Sequence, residues 1–363
     1  MRTFFTFLFA LYSSLIIAQN PLFVHTADAG NIVSDASYLD HPDLNGNPNA
    51  QLIVSHNWNP NGIGGTFNDK ATGLFYDSGN EQWGVYNEDA SAMIEESSYN
   101  IYIGEGPEMF EHIATSENVI DNYFTVLDHP ILNGNPDANL TISTYYNPNS
   151  LRNEERYGVF YYLTFEKWAI YAESLLPIPL NSAFFVAIDG EGVQNYIHQA
   201  TSANITENFT VIDHPLLNGE EEALFVFTHN WGEAGDSSNV IVDFELGAWY
   251  TGTNWSIFIE DGSSPFLENS EYNLLIYNPA LSTEDDTIKG LSYYPNPVSN
   301  FININAINEI DFVSVYDMQG RLVLEQSGEL NTMSLNASKL PTGNYLAEVK
   351  SGNNVQVIKI IKQ

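Results

Sequence analysis

The stretch LDHPDLNGNPNAQLIVSHNWNP at residues 39–60 occurs three times, returning as LDHPILNGNPDANLTISTYYNP at 127–148 and as IDHPLLNGEEEALFVFTHNW at 212–231. Asp40, Asp128 and Asp213 fall in register. Upstream, HTADAGNI from His25, HIATSENV from His112 and HQATSANI from His198 set a period of 87 and then 86 residues. Downstream, GLFYD with Trp83, GVFYY with Trp168 and GAWYT with Trp255 each lead into a run whose fifth residue past the Trp is Glu88, Glu173 or Glu260. Recurrence at this density predicts a triplicated unit, with copies at 21–104, 109–189 and 195–278.

Within a copy, apolar and polar residues alternate over short runs. LIVSHNW at 52–58, WGVYNE at 83–88 and YNIYI at 99–103 all have period two, which predicts strands. Pro42, Pro130 and Pro215 end one strand, and Asn45-Gly46, Asn133-Gly134 and Asn218-Gly219 supply residues that accept positive φ. No segment before Ser282 has a helical period. The expected fold is all-β: three tandem small antiparallel β-sandwich or barrel repeats, then a C-terminal β-sandwich.

Charge is unevenly distributed along the 363 residues. Residues 20–288 hold 40 acidic and 4 basic side chains, whereas 290–363 hold 6 and 5. Such a negative body excludes nucleic acid and anionic lipid, which need clustered Lys and Arg. Cysteine is absent, so neither disulfides nor thiolate metal sites contribute. Arg2, the apolar run from Phe4 to Ile17 and Ala18 form a signal-peptide pattern at 1–18. The run is too short and too interrupted by Thr6, Ser13 and Ser14 for a retained span, so no transmembrane segment is expected in the mature chain.

After a polar linker at 279–291 the sequence changes character: YYPNPVSNFININ, then FVSVYDMQGRLVLEQ, then LPTGNYLAEVKSGNNVQVIKIIKQ. Asp317 to Gly320 closes a hairpin, and Gly343-Asn344 opens a strand, giving a small antiparallel sandwich. The ordered motifs YPNP, VYDMQGR, LPTGNY and the basic-apolar end VIKIIKQ closely resemble the type A C-terminal sorting domain of type IX secretion in Bacteroidetes, over 292–363. With Sec export expected from the leader, that resemblance implies passage across the outer membrane, with translocon and sortase as partners, removal of the domain with attachment to surface lipopolysaccharide, and a cell-surface or extracellular destination. Asp286-Thr287-Ile288 also looks like the short O-glycosylation acceptor of that phylum. The DHPxLNGNP and HNWNP signatures resemble an uncharacterised repeat domain of secreted bacterial proteins, which implies a shared fold and no activity.

The residues able to carry chemistry recur with the repeats. His25, Asp40, His41 and His56 in copy one, and His198, Asp213, His214 and His229 in copy three, are candidate metal ligands. Calcium or zinc would suit them, although no cofactor is required, and the alternative is imidazoles hydrogen-bonded at strand ends. Copy two departs from the pattern at Thr144-Tyr145-Tyr146, where the others have His-Asn-Trp. The Asn-rich loops around Asp43, Asn45 and Asn47 offer calcium-type oxygens but also read as Asx turns. Glu88-Asp89 and Glu260-Asp261 make poor acid and base pairs, because strand neighbours point to opposite faces. Trp58, Tyr146 and Trp231 are candidates to stack on sugar rings, whereas Trp83, Trp168 and Trp255 read as core.

No nucleophile elbow, zincin helix, phosphate loop or dinucleotide fingerprint is present. The expectation is therefore a non-enzymatic surface or secreted protein that binds a glycan or protein ligand. A metal-assisted hydrolase and a structural spacer are the alternatives.

Overall fold

The computed structural model describes residues 21–62, 65–104, 106–147, 149–188, 192–233, 240–278, 288, 291–352 and 354–363. The leader expected at 1–18, and positions 286 and 287 of the linker, lie outside the described residues. Asn20–Ser282 forms one compact unit, the body, and Thr283–Gln363 belongs to a second.

The alternating runs of copy one become β1 (Leu22–Thr26), β2 (Ile32–Val33), β3 (Ala36–Tyr38), β4 (Gln51–Asn57), β5 (Thr72–Asp77), β6 (Gln82–Asn87) and β7 (Ser98–Gly104). Copy two repeats the series as β8 (Met109–Ile113), β9 (Val119–Ile120), β10 (Phe124–Val126), β11 (Thr141–Tyr145), β12 (Tyr157–Tyr162), β13 (Lys167–Ala172) and β14 (Ala183–Ala187). Copy three gives β15 (Val193–Gln199), β16 (Ile205–Thr206), β17 (Phe209–Val211), β18 (Phe225–Glu233), β19 (Leu246–Tyr250), β20 (Trp255–Ile259) and β21 (Glu271–Tyr277). Among the described residues the helical content is a single short turn, Pro60–Gly62.

Each copy is a two-leaf sandwich. Its first, fourth and seventh strands form a three-stranded leaf, and its second, third, fifth and sixth a four-stranded one. The leaves close over an apolar core because one face of every strand carries large side chains. In copy one Leu52, Tyr99 and Ile101 belong to one buried cluster with Leu74, Trp83 and Val85 of the facing leaf. Copy two packs Leu140, Phe184 and Val186 with Val159, Trp168 and Ile170, and copy three packs Phe225, Leu274 and Ile276 with Ala248, Trp255 and Ile257.

The leaves do not stop at the copy boundaries. β4 pairs in parallel with β19, β11 with β5, and β12 with β18, so each three-stranded leaf continues into a neighbour's four-stranded leaf. The result is three seven-stranded sheets, each shared by two copies, linked one to three, three to two and two to one. One end of each sheet is a two-residue strand (β2, β9 or β16), too short to template pairing with another chain.

The second unit is a curled antiparallel sheet of β22 (Ser292–Tyr294), β23 (Phe301–Asp317), β24 (Leu322–Asn336), β25 (Gly343–Ser351) and β26 (Asn354–Lys362). Gly320 at φ 78° closes the expected hairpin, with the Asp317 carboxylate accepting from the Gln319 and Arg321 backbone N–H groups. Ile302, Val313, Val315, Ala347 and Val349 fill the core, and Ile288 at the end of the expected linker is buried among them.

Candidate functional site

The recurrent residues settle into repeated devices. The first starts at the leading histidine. His25 Nε2 lies 2.7 Å from Ser37 Oγ, and Ser37 in turn donates to Asn31 Oδ1 at 2.7 Å, so the imidazole is the donor to the hydroxyl. His112, Thr125 and Asn118 repeat this chain in copy two, and His198, Thr210 and Asn204 in copy three. Each Asn side chain closes the turn by donating to a backbone carbonyl, of Thr26, Ile113 or Gln199, at 2.9 Å. All three imidazoles are buried, and burial pushes their pKa down to about 4.

The Asp-His-Pro-x-Leu-Asn-Gly loop is the second device. Asn45 donates to the Asp40 carboxylate at 2.8 Å, Asn133 to Asp128 at 2.8 Å and Asn218 to Asp213 at 2.7 Å. The following histidine caps the turn: His41, His129 and His214 each accept at Nδ1 from the backbone N–H two residues on. His41 stacks on Phe23 and His129 on Phe110, with ring centroids 4.5 Å apart. Gly46, Gly134 and Gly219 take φ of 73°, 69° and 79°, which a side chain would resist. Trp83, Trp168 and Trp255, buried as core residues, pin the loop by donating Nε1 to the carbonyls of Asn47, Asn135 and Glu220.

The third device joins the copies. Glu88, Glu173 and Glu260 are buried, and each reaches into the next copy. Glu88 accepts from the Thr144 hydroxyl at 2.8 Å and the Asn153 N–H at 2.7 Å. Glu173 contacts His229 Nδ1 at 2.5 Å and accepts from the Val242 N–H at 2.9 Å, while Glu260 pairs with His56 Nδ1 and accepts from the Asn68 N–H. Burial raises the pKa of Glu88 and Glu260, and these donors oppose the shift. Gly73, Gly158 and Gly247 lie beneath the carboxylates, and a Cβ on Gly158 would stand 2.5 Å from Glu173 Oε1. The glycine opening GLFYD, GVFYY and GAWYT is therefore the counterpart of the glutamate fifteen residues later in copies one and two, and thirteen later in copy three.

A ring of hydroxyls repeats the same order. The Val54 N–H donates to Ser143, Ile142 to Thr228 and Phe227 to Ser55, at 2.9 to 3.0 Å. A cavity of about 130 Å³ is lined by these hydroxyls together with His56, Thr144, His229, Arg156 and Glu245. Arg156 pairs with Glu245 at 3.1 Å, which ties copy two to copy three.

The fourth device is aromatic. Trp58, Tyr146 and Trp231 are partly exposed, and each packs on the outer face of the neighbouring four-stranded leaf. Trp58 meets Trp249 and Phe258, Tyr146 meets Tyr86, and Trp231 meets Phe160 and Tyr171.

The structure thus distributes the candidate metal ligands rather than gathering them. His25 goes with Ser37, His41 with its own turn, and His56 with Glu260; His198, His214 and His229 follow suit. Among the described residues no three His, Asp or Glu side chains converge in a group that could hold a metal ion. Ser37, Thr125 and Thr210 went unread in the sequence, where their only signal is a hydroxyl residue at the same place in a short strand.

A family model for a domain of unknown function, DUF7452, matches three times, at residues 9–103, 73–175 and 158–276. The chain belongs to the DUF7452 family. Its DUF7452 copies are followed at 292–363 by a match to the secretion system C-terminal sorting domain. That domain marks the protein for type IX secretion to the cell surface or extracellular space, through interaction with the type IX machinery. No described helix is long and apolar enough to cross a membrane.

No curated protein matches the DUF7452 chain. Among solved structures, PorZ, described as a bacterial surface component of the type IX secretion system of Porphyromonas gingivalis, is 16% identical with a TM-score of 0.20. That match covers 36% of this chain and 24% of PorZ. A Ruminococcus gnavus β-glucuronidase is 10% identical over 70% of this chain and 35% of its own, with a TM-score of 0.16. The BSP domain of a biofilm-associated protein is 9% identical over 94% and 66%, with a TM-score of 0.18. These scores are too low to establish a shared fold.

Proposed function

We propose that the exported chain is a non-enzymatic surface or secreted binding protein that acts in adhesion, engaging a glycan or protein ligand through repeated weak sites. The observation that supports this reading is the use made of the recurrent glutamates and histidines. Glu88, Glu173 and Glu260 join one copy to the next, and the imidazoles cap turns or hold strands, so their threefold recurrence has a structural cause. What triplication adds beyond that scaffold is repeated outer surface, which gains from multivalency. Export by the Sec pathway with cleavage after Ala18, and attachment to surface lipopolysaccharide after removal of the sorting domain, complete the proposal.

The test is a screen of the purified protein against immobilised glycans and extracellular proteins, run beside hydrolysis assays on polysaccharides and esters. Specific, saturable binding without turnover is expected. Hydrolysis that disappears in His56→Ala or His229→Ala would establish the metal-assisted hydrolase instead.

A further inference from the structure

We infer that the outer face of copy three's four-stranded leaf, walled by two aromatic residues of copy one, is a binding platform for a polysaccharide without acidic groups. This rests on the binding reading above and names its site and ligand class. In β19 and β20 the alternation sends Ala248, Trp255 and Ile257 into the core and turns Trp249 and Phe258 outward. Phe209 of β17 pairs with Phe258 and shares that face. Phe258 is 3% exposed and forms a floor. Trp249, Phe209 and Trp58 stand partly exposed around it, and Phe67 is 47% exposed. Successive rings are 4.8 to 6.1 Å apart: Phe209 to Trp249, Trp249 to Trp58 and Trp58 to Phe67.

The rings meet edge-to-face or tilted, and the parts they leave exposed, most of all Phe67, are suited to the apolar faces of pyranose rings. The charge of the body selects among glycans. With 40 acidic and 4 basic residues over 20–288, it repels uronate and sulfate as it repels phosphate, so the favoured occupant is neutral.

The other two leaves carry the same platform in different states. On copy two, Trp231 packs against Phe160, and the row runs on through Tyr162 to Phe165, which is 47% exposed. On copy one, Tyr146 packs against Tyr86, but Arg152 lies over the Tyr86 ring 5.0 Å from its centroid and is held there by Asp35. Arg152 takes the place beside the buried Tyr86 that Phe67 takes beside Phe258, and among the described residues no strongly exposed aromatic side chain walls that leaf, which leaves two open platforms per chain.

The experiment uses the full mature chain, with soluble mixed-linkage β-glucan, galactomannan and amylopectin as neutral probes and alginate as the acidic one, read by affinity electrophoresis and calorimetry. Retention by at least one neutral polysaccharide and none by alginate is expected, with two sites per chain. Phe67→Ala and Phe165→Ala should each lower the calorimetric stoichiometry to one site per chain and weaken retention by about tenfold through lost multivalency, and together abolish binding, while melting temperatures stay at the wild-type value. The inference is overturned if no neutral probe binds, if alginate binds as well, or if both variants bind like wild type. A protein ligand whose binding ignores both substitutions would overturn this site and leave the binding reading standing. Polysaccharide hydrolysis that survives both substitutions would overturn the binding reading and this site together.

Discussion

Acidification from about pH 7 to about pH 5 should destabilise the body through His25, His112 and His198. Burial pushes each imidazole down to about 4, against about 6.5 in an unfolded chain. The folded pKa is the lower one, so the unfolded state takes up protons first. The stabilisation is complete above about 6.5 and is lost as the pH falls towards about 4. At about pH 5 the unfolded imidazole is almost fully charged and the folded one scarcely so, which amounts to about 2 kcal/mol per histidine and about 6 kcal/mol for three. A domain's whole stability is about 5 to 15 kcal/mol, so the effect is large. Glu88, Glu260 and Glu245, the last pushed up to about 8, are raised chiefly by burial and act in the opposite sense, and a variant comparison removes them. In the triple variant His25→Gln, His112→Gln and His198→Gln, the amide can still donate to Ser37, Thr125 and Thr210 but does not titrate. Unfolding free energies from urea titrations followed by tryptophan fluorescence should fall with acidification several kcal/mol further in wild type than in the triple variant. Equal losses would refute the reasoning.

Glu88→Ala should cost about 2 to 4 kcal/mol, because it leaves the Asn153 N–H and the Tyr86 hydroxyl without their acceptor and the Thr144 hydroxyl with only the Thr72 carbonyl, and denaturant unfolding checks it. Gly158→Ala places a Cβ against Glu173 and the Tyr171 ring and should cost about 1 to 3 kcal/mol, read as a lowered melting temperature. Since every sheet is shared, the body should melt in one calorimetric transition, and three resolved transitions would contradict the shared-sheet fold. Deleting residues 290–363 should strand the protein in the periplasm, as cell fractionation would show.

The local structure was legible because its causes are local. Alternation in LIVSHNW, WGVYNE and YNIYI corresponds to β4, β6 and β7, and the Asn-Gly pairs mark left-handed turns. Trp83, Trp168 and Trp255 sit in the core with their Nε1 groups paired, as their apolar neighbours suggested. Thr144 is more instructive. In the sequence it looked like a broken His-Asn-Trp motif, yet its hydroxyl still donates to Glu88, since the joint needs a donor and not an imidazole. The partner of each glutamate was illegible for another reason. Glu260 and His56 lie 204 positions apart, and only the parallel pairing of β4 with β19 brings them together. No short-range pattern encodes that pairing, because a parallel junction between two sandwiches needs no turn signal.

That closure also fixes how many copies there are. In a linear array a unit can be gained or lost at an end, and the neighbours merely exchange a cap. Here β4 of the first copy meets β19 of the last, so the first and third units are neighbours as surely as consecutive ones are. Removing one unit would leave two half-sheets whose partners no longer exist, and adding one would require the ring to widen at every joint. The tally of three is thus a property of the closed set of joints, and each of the first two copies has one joint that stays open until the third has been made.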